Sequence, residues 1–227
     1  MSYQHIDNLY QLQTILLFRE CYALEKIHGT GAKVAWKDGS LGYSSGSEKH
    51  TRFVGLFDQD ALRAAFVALG HDQVTVYGEA YGGAQQGMSA TYGKALKFIA
   101  FEVQVGEAWL NVENAADVAQ KLGLEFVYYE KISTDLDAIN AARDADSVQA
   151  IRNGMGSGHK REGVVLRPLQ EFIDNRGERV VAKHKRDEFK ETATPREVAP
   201  AQAKILADAE AIALEWVTDM RLSHVLD

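Results

Sequence analysis

The chain has 227 residues, of which 46% are hydrophobic and 25% charged, with a net charge of −7, so it can bury a substantial core in one main domain. No apolar run approaches the roughly 18–20 residues of a membrane span, and the first residues lack the pattern of a secretory signal. Cys21 is the single cysteine, which excludes internal disulfides and cysteine-based zinc sites. We therefore expect a cytoplasmic or otherwise intracellular protein.

The first half of the chain reads as strands joined by turns, with one helix. Alternating side chains predict strands over residues 20–26, 33–37, 40–44, 74–80 and 96–105. Asp38-Gly39 predicts a hairpin turn between the second and third of these strands. A helix is predicted over residues 58–69, with Asp58 as its cap and Gly70 at its end.

The second half mixes helices and strands. Helices are predicted over residues 114–122 and, in pieces, over 136–151, and strands over residues 163–167 and 179–185. After Pro200, apolar residues recur at helical spacing through Ile205, Ala209, Ile212, Trp216 and Met220. This stripe predicts a helical tail that either packs back on the main domain or begins a further module.

Glycines and histidines alone do not identify a site. Residues 29–33 lack the four-residue spacing between glycine and Gly-Lys that a P-loop requires. The glycines at 154, 156 and 158 do not follow a strand directly, so they fail the dinucleotide pattern and read as a mobile loop. The seven histidines include no pair at metal-ligand spacing on a predicted helix.

Five short segments in a fixed order carry more information. They are Lys26-Ile27-His28-Gly29, Gly78-Glu79, Phe101 within a strand, Glu162-Gly163 and Lys183-His184-Lys185. Lys183 and Lys185 lie two residues apart, so in a strand their side chains share one face with Cα atoms about 7 Å apart. Two ammonium groups on one face indicate a bound anion. Taken singly, however, each segment also fits an ordinary surface or core residue.

Their order and spacing resemble the motifs of the covalent nucleotidyltransferases, which include ATP-dependent DNA ligases, RNA ligases and mRNA capping enzymes. The resemblance runs from about Glu25 to Phe189. DNA ligases and capping enzymes usually have aspartate before the motif glycine, whereas this chain has His28. The segments "EKIHGT" and "EGVVLRP" are similar to the RNA ligases that seal nicks in double-stranded RNA, the RNA repair and editing branch.

This resemblance implies an α+β fold. Residues 1–193 would form a nucleotidyltransferase (adenylation) domain built from antiparallel sheets flanked by helices. Residues 194–227 would form a helical tail, which could be the start of a truncated C-terminal domain. The implied substrates are ATP and RNA with 3′-hydroxyl and 5′-phosphate ends, and a nicked duplex is the expected form of the RNA. No membrane is implied, and no protein partner can be inferred.

The resemblance also assigns roles near the lysine. Lys26 would be the nucleophile that receives AMP, with Lys183 and Lys185 on the α-phosphate. Glu162 would help to hold a divalent metal, Mg²⁺ or Mn²⁺. His28 would support the RNA-joining steps.

The remaining roles concern the nucleoside. Glu79 would bind the ribose, Phe101 would stack on adenine, and Glu25 and Ile27 would complete the nucleotide site. An arginine is expected near the ribose and the terminal phosphate. In the corresponding segment, residues 41–53, the only arginine is Arg52, which lies near the end of the segment. Either Arg52 contacts the nucleotide from a longer loop, or a serine at 44, 45 or 47 takes its role.

The chemistry explains why a lysine would stand at a sharp turn. An amine attacks phosphorus only when neutral, and at a pKa of about 10.4 fewer than about 1 in 1,000 lysines are neutral at pH 7. A shift of about 3 units, or about 4 kcal/mol, would make half of them neutral. Neighbouring lysines, a metal and exclusion of water would act in that direction.

Other functions stay open at this point. A DNA ligase would usually carry an OB-fold of roughly 100 residues after the second motif lysine, whereas about forty helical-looking residues follow Lys185 here. A capping guanylyltransferase is disfavoured by the same difference and by His28. The chain could instead be a catalytically degenerate nucleotide- or RNA-binding module, or a structural protein with coincidental motifs.

The charge is unevenly distributed along the chain. Although the whole chain has a net negative charge, residues 159–190 carry nine Lys and Arg and six Asp and Glu. This local positive excess is compatible with a basic cleft.

Overall fold

The computed structural model describes residues 3–189, which fold around two five-stranded sheets. Sheet A has the strand order β1-β10-β9-β2-β8, and sheet B the order β4-β3-β5-β6-β7. Every pairing is antiparallel except that of β1 with β10. The strands are β1 Asp7–Asn8, β2 Glu20–Lys26, β3 Thr30–Lys37, β4 Ser40–Ser45, β5 Gln73–Tyr81, β6 Lys97–Val105, β7 Ala108–Trp109, β8 Tyr129–Ser133, β9 Gly163–Pro168 and β10 Ala182–Lys185.

Within residues 3–189, six α-helices connect these strands. They are α1 His50–Val54, α2 Gln59–Leu69, α3 Ser89–Tyr92, α4 Val112–Lys121, α5 Leu136–Asp144 and α6 Val148–Arg152. Short 3₁₀ turns cover Thr14–Leu17, Gln85–Gly87 and Asp187–Phe189. Asp58 caps α2 by accepting a hydrogen bond from the Ala61 amide at 3.0 Å, and Gly70 ends that helix in the left-handed conformation.

The apolar residues form a core on each outer face and another between the sheets. Helices α2 and α4 cover sheet B, where Phe66 and Ala115 pack with Val76. Helix α5 contributes Ile139 to the core on the outer face of sheet A. Between the sheets lie further apolar residues, including Leu24 and Ile99. The sequence therefore produces the predicted α+β architecture of antiparallel-rich sheets flanked by helices.

Most sequence-predicted elements are confirmed, with shifted ends. The strand predicted at 33–37 begins at Thr30, and the helix predicted at 114–122 begins at Val112. The strand predicted at 179–185 begins only at Ala182, because the backbone at Arg179 and Val180 pairs instead with Ile173 and Phe172. The 136–151 region forms α5 and α6. The domain boundary after residue 193 and the helical tail over 194–227 lie outside the described residues and stay predictions.

The strand register determines which side chains meet. In sheet A, Lys26 pairs with Gly163 and Lys185 pairs with the same glycine from the other side. A Cβ added to Gly163 would lie 2.2 Å from the His184 carbonyl oxygen, so only glycine allows this approach of β9 to β10. This close approach brings the β10 lysines beside the end of β2.

Candidate active site

A cavity of about 400 Å³ lies between the two sheets and contains most of the predicted nucleotide-site residues. Its volume is within the range of small-molecule sites. The predicted residues that line it are Glu25, Lys26, Ile27, Glu79, Phe101 and Lys183. A larger groove of about 650 Å³ beside α2 is lined by apolar residues such as Leu62 and Leu124 and by none of the predicted site residues. We therefore place the candidate site in the smaller cavity.

Lys26 ends β2 where the chain turns toward the other sheet. Its Nζ lies 2.9 Å from Glu162 Oε2, and its side chain is 25% exposed. The turn needs Gly29, because a Cβ there would lie 2.4 Å from the Ala80 carbonyl oxygen. The backbone of the lysine motif therefore lies directly against β5, which carries Glu79.

Glu162 is surrounded by cationic or proton-donating groups. Besides Lys26, His28 Nδ1 lies 3.1 Å from Glu162 Oε2 and Lys185 Nζ lies 2.8 Å from Glu162 Oε1. Burial, with only 1% of the side chain exposed, would raise the pKa of Glu162. The hydrogen bonds from His28, Lys185 and Lys26, together with the charge of Lys26, outweigh burial and lower that pKa to about 2. Glu162 is therefore a fixed anion that gathers three of the predicted site residues.

The protein groups at this site could hold a divalent cation only if a substrate supplied most of the ligands of the cation. Residues 3–189 contain no group of three or more His, Cys, Asp or Glu side chains that could hold a metal by themselves. Mg²⁺ commonly takes one or two protein carboxylates and completes its shell with phosphate oxygens and water. Glu162 meets that requirement as a single buried carboxylate at the lysine end of the cavity.

Glu79 lies near the end of β5, opposite the lysine motif. Burial raises the pKa of Glu79 to about 7, while the charge of Lys26 and a hydrogen bond from the Gly29 amide act in the opposite direction. A carboxyl group that titrates near neutrality can accept a hydrogen bond from a hydroxyl group or donate one to it. This property suits a ribose contact.

Phe101 owes its orientation to a bulge in β6. Tyr77 pairs with Glu102 and Gly78 pairs with Ala100, so Phe101 is the extra residue. As a result Ala100 and Val103, three residues apart, face the same outer core, while Phe101 and Glu102 both line the cavity. The bulge therefore places a ring and a carboxylate on one side of the sheet.

The two motif lysines of β10 lie at different positions along the cavity. Lys185 lies level with Gly163 and contacts Glu162, whereas Lys183 pairs with Val165 one step further along the cavity. Two residues along a strand span about 7 Å. Lys183 therefore lines the cavity and Lys185 contacts Glu162, and the phosphate role predicted for both lysines stays a prediction.

Of the predicted residues, Arg52 lies outside the cavity and Glu25 lines it but makes its hydrogen bonds away from it. Arg52 lies on α1, where its Nη1 is 3.6 Å from Glu48 Oε1, and it is not part of the cavity lining. The Glu25 side chain accepts hydrogen bonds from Ser147 Oγ at 2.5 Å and the Val148 amide at 3.0 Å. Glu25 therefore reaches the cavity beside Lys26 but directs its carboxylate to the start of α6, and the predicted roles of Arg52 and Glu25 stay untested.

Sequence reasoning missed the far end of the cavity. Tyr3, Glu102 and Arg167 all line it, and the hydroxyl of Tyr3 donates to Glu102. Arg167 follows Val165 by two residues, so strand alternation alone could have placed it on the cavity face. Nothing in the sequence signals the contact of Tyr3 with Glu102, since 99 residues separate them.

Two antiparallel-rich sheets around a cavity with a lysine at its turn define a nucleotidyltransferase domain of the ligase type, as predicted. The protein-family model described as RNA ligase matches residues 19–185. The chain therefore belongs to the RNA ligase family. A comparison with curated proteins finds no match. Within residues 3–189, no helix has the length and apolar character needed to cross a bilayer.

Solved structures of an RNA ligase from Naegleria gruberi share the fold. A variant of that ligase with ATP and Mn matches with a TM-score of 0.65 and 16% identity, over 83% of this chain and 57% of that one. The same ligase with PPi matches with a TM-score of 0.64 and 17% identity over the same shares. This chain thus spans little more than half the length of those proteins.

Proposed function

We propose that this protein is an ATP-dependent RNA ligase that forms a covalent lysyl-AMP at Lys26. It then transfers AMP to an RNA 5′-phosphate and joins that end to a 3′-hydroxyl, with a nicked duplex as the preferred substrate. The observation that carries the proposal is the position of Lys26, whose Nζ is held 2.9 Å from a buried carboxylate at one end of a nucleotide-sized cavity.

The first step uses Lys26 as a nucleophile. The Nζ lone pair attacks the α-phosphorus of ATP, the bond from that phosphorus to the bridging oxygen breaks, and pyrophosphate leaves with the bonding electrons. The proton lost from Nζ passes to solvent or to a neighbouring base. Lys26 Nζ lies 2.9 Å from Glu162 Oε2, so the attack requires Nζ to turn from that carboxylate toward the α-phosphorus.

The proposed roles of the other side chains follow from their positions in and beside the cavity. Lys183 is placed to contact the α-phosphate and to neutralise charge that develops on its oxygens. Lys185 holds Glu162 in place from the opposite side to Lys26. Phe101 supplies an aromatic face for adenine and Glu79 a carboxyl group for the ribose.

A divalent cation, Mg²⁺ or Mn²⁺, would neutralise phosphate charge at this site, and Glu162 is the residue that would hold it. The Naegleria ligase has been solved with ATP and Mn and with AMP and Mn, which supports the same ligands here. His28 lies beside Glu162, with Nδ1 3.1 Å from Oε2, and is proposed to act in the RNA-joining steps.

The test is self-adenylation. Incubation with ATP and Mg²⁺ should add the mass of one AMP to the intact chain, and Lys26→Ala should abolish the addition. Lys37→Ala, which removes an exposed lysine at the far end of β3, should be labelled like the native protein. Label on the Lys26→Ala variant, or preferential labelling by GTP, would contradict the proposal.

The polynucleotide class needs a second assay. Nicked duplexes that differ only in RNA or DNA on the 3′-hydroxyl side should be sealed when that side is RNA. Equal sealing of an all-DNA nick would favour a DNA ligase. Self-adenylation without sealing of any nick would indicate that this chain carries only the adenylation step.

A further inference from the structure

The segment at residues 3–6 closes one side of the cavity. Tyr3, Gln4, His5 and Ile6 all line it. The segment continues directly into β1, which pairs in parallel with β10, and the Leu9 amide donates to the Lys183 carbonyl oxygen at 2.9 Å. One end of this segment is therefore fixed to sheet A, beside the strand that carries Lys183.

The other end of the segment is fixed to sheet B through Tyr3. The Tyr3 hydroxyl donates to Glu102 Oε2. The Tyr3 ring meets the Phe101 ring edge-on, with centroids 5.1 Å apart and an interplanar angle of 73°, and lies 5.2 Å from the Tyr77 ring. Burial and the nearby Glu102 raise the pKa of Tyr3, so its hydroxyl stays protonated and remains a donor.

Glu102 is itself a rigid acceptor. Its side chain is 1% exposed, and the Arg179 guanidinium and Arg167 Nη1, the latter at 3.2 Å, hold its Oε1. The Nε atom of Arg167 has no hydrogen-bond partner among residues 3–189, although that side chain lines the cavity and is 98% buried. This end of the cavity thus offers a fixed carboxylate, a fixed ring and a buried donor, features that suit a purine base.

We propose that Tyr3 is a positioning residue for the nucleobase of ATP: its hydroxyl, anchored on Glu102, and its ring fix Phe101 and close the base side of the cavity. The inference rests on the proposed function, because it takes ATP as the ligand and places the phosphates at Lys26. The contacts of Tyr3 are with Phe101, Tyr77 and Glu102, so it affects how tightly the nucleoside is held and leaves the chemistry at phosphorus alone.

Two variants separate the hydroxyl from the ring. Tyr3→Phe removes the donor to Glu102 and keeps the aromatic packing, and a lost hydrogen bond of this kind should weaken ATP binding about 3- to 10-fold. Tyr3→Ala also removes the contact with Phe101 and should weaken it further. Tyr10→Phe is the matched control, because Tyr10 belongs to the same stretch of chain but does not line the cavity.

Binding is measured by calorimetry in the Lys26→Ala background, in which ATP can bind without reacting. The Kd for ATP should rise in the Tyr3 variants and stay unchanged in Tyr10→Phe, while the Kd for pyrophosphate, which has no base, should stay the same in all. With Lys26 present, the half-saturating ATP concentration for self-adenylation should rise and the rate at saturation should change less than about twofold.

Three outcomes would overturn the inference. They are an unchanged Kd for ATP in both Tyr3 variants, an equal loss of affinity for ATP and pyrophosphate, and a fall in the saturating rate with no change in half-saturation. The fate of the proposed function is read separately. If the native chain binds ATP but acquires no AMP, the ligase proposal fails, while the ratio of ATP to pyrophosphate affinities still decides the role of Tyr3.

Discussion

Replacing Glu162 by glutamine tests whether one buried carboxylate organises the lysine end of the site. The substitution keeps the shape of the side chain and removes the negative charge that Lys26 and Lys185 share. Both lysines then lie close together without the charge of Glu162 between them, in a place that is largely shielded from water. We expect a loss of stability that depends on pH and, separately, a loss of self-adenylation.

The magnitude follows from the pKa of Glu162. Its value is lowered from 4.5 to about 2, which corresponds to about 3 kcal/mol of stability at pH 7. A lowered pKa contributes stability above the unfolded value of 4.5, and that contribution is lost as the pH falls through the folded value. About half of it, roughly 1.5 kcal/mol, should remain at pH 3.

The assay is urea unfolding of the native protein and Glu162→Gln at pH 7, 5 and 3. The difference in free energy of unfolding should be about 3 kcal/mol at pH 7 and should shrink toward acid. Glu188→Gln is the control, because the ion pair of Glu188 with Lys160 is exposed and should contribute little. A difference that is the same at pH 7 and pH 3 would refute the reasoning, as would a loss no larger than that of the control.

Two further predictions concern β9 and β10. Lys183→Ala should slow self-adenylation at saturating ATP by about 100-fold, measured by single-turnover labelling, because it removes a cation from the proposed phosphate contact; a loss under threefold would contradict that role. Gly163→Ala should lower the free energy of unfolding by about 2–3 kcal/mol, measured in urea, because its Cβ would meet the His184 carbonyl oxygen. Gly31→Ala, where a Cβ meets nothing within 4 Å, is the control, and equal stability of the two variants would contradict the prediction.

Local signals explain why much of the fold could be predicted. Side-chain alternation identified β2, and Asp38-Gly39 adopts the positive φ angles of a hairpin turn, +48° and +79°. Asp58 and Gly70 bound α2 as their chemistry predicts. The strand Tyr129–Ser133 was not predicted; it is a short strand at the edge of sheet A, where it pairs with β2. The position of this strand depends on pairing with β2, which is distant in the sequence.

The sequence predicted which residues belong to the candidate site better than it predicted how they are arranged. The ordered motifs identified Lys26 and Glu162, which the structure brings together. The different positions of Lys183 and Lys185 depend on the pairing of β10 with β9, which the spacing of two residues does not reveal. The far end of the cavity depends on Tyr3 meeting residues nearly a hundred positions away, and no local pattern encodes such a contact.

The extra residue in β6 places two successive side chains on the cavity side of the sheet. Ala100 and Val103, on either side of Phe101 and Glu102, fill the outer core because the bulge absorbs one residue without changing the pairing that follows. Deleting Phe101 would join Ala100 directly to Glu102, and regular alternation would then keep Ala100 and Val103 in the outer core and Glu102 on the cavity side. The bulge is therefore the reason that sheet B can carry the ring proposed to stack on adenine without giving up the buried carboxylate beside it.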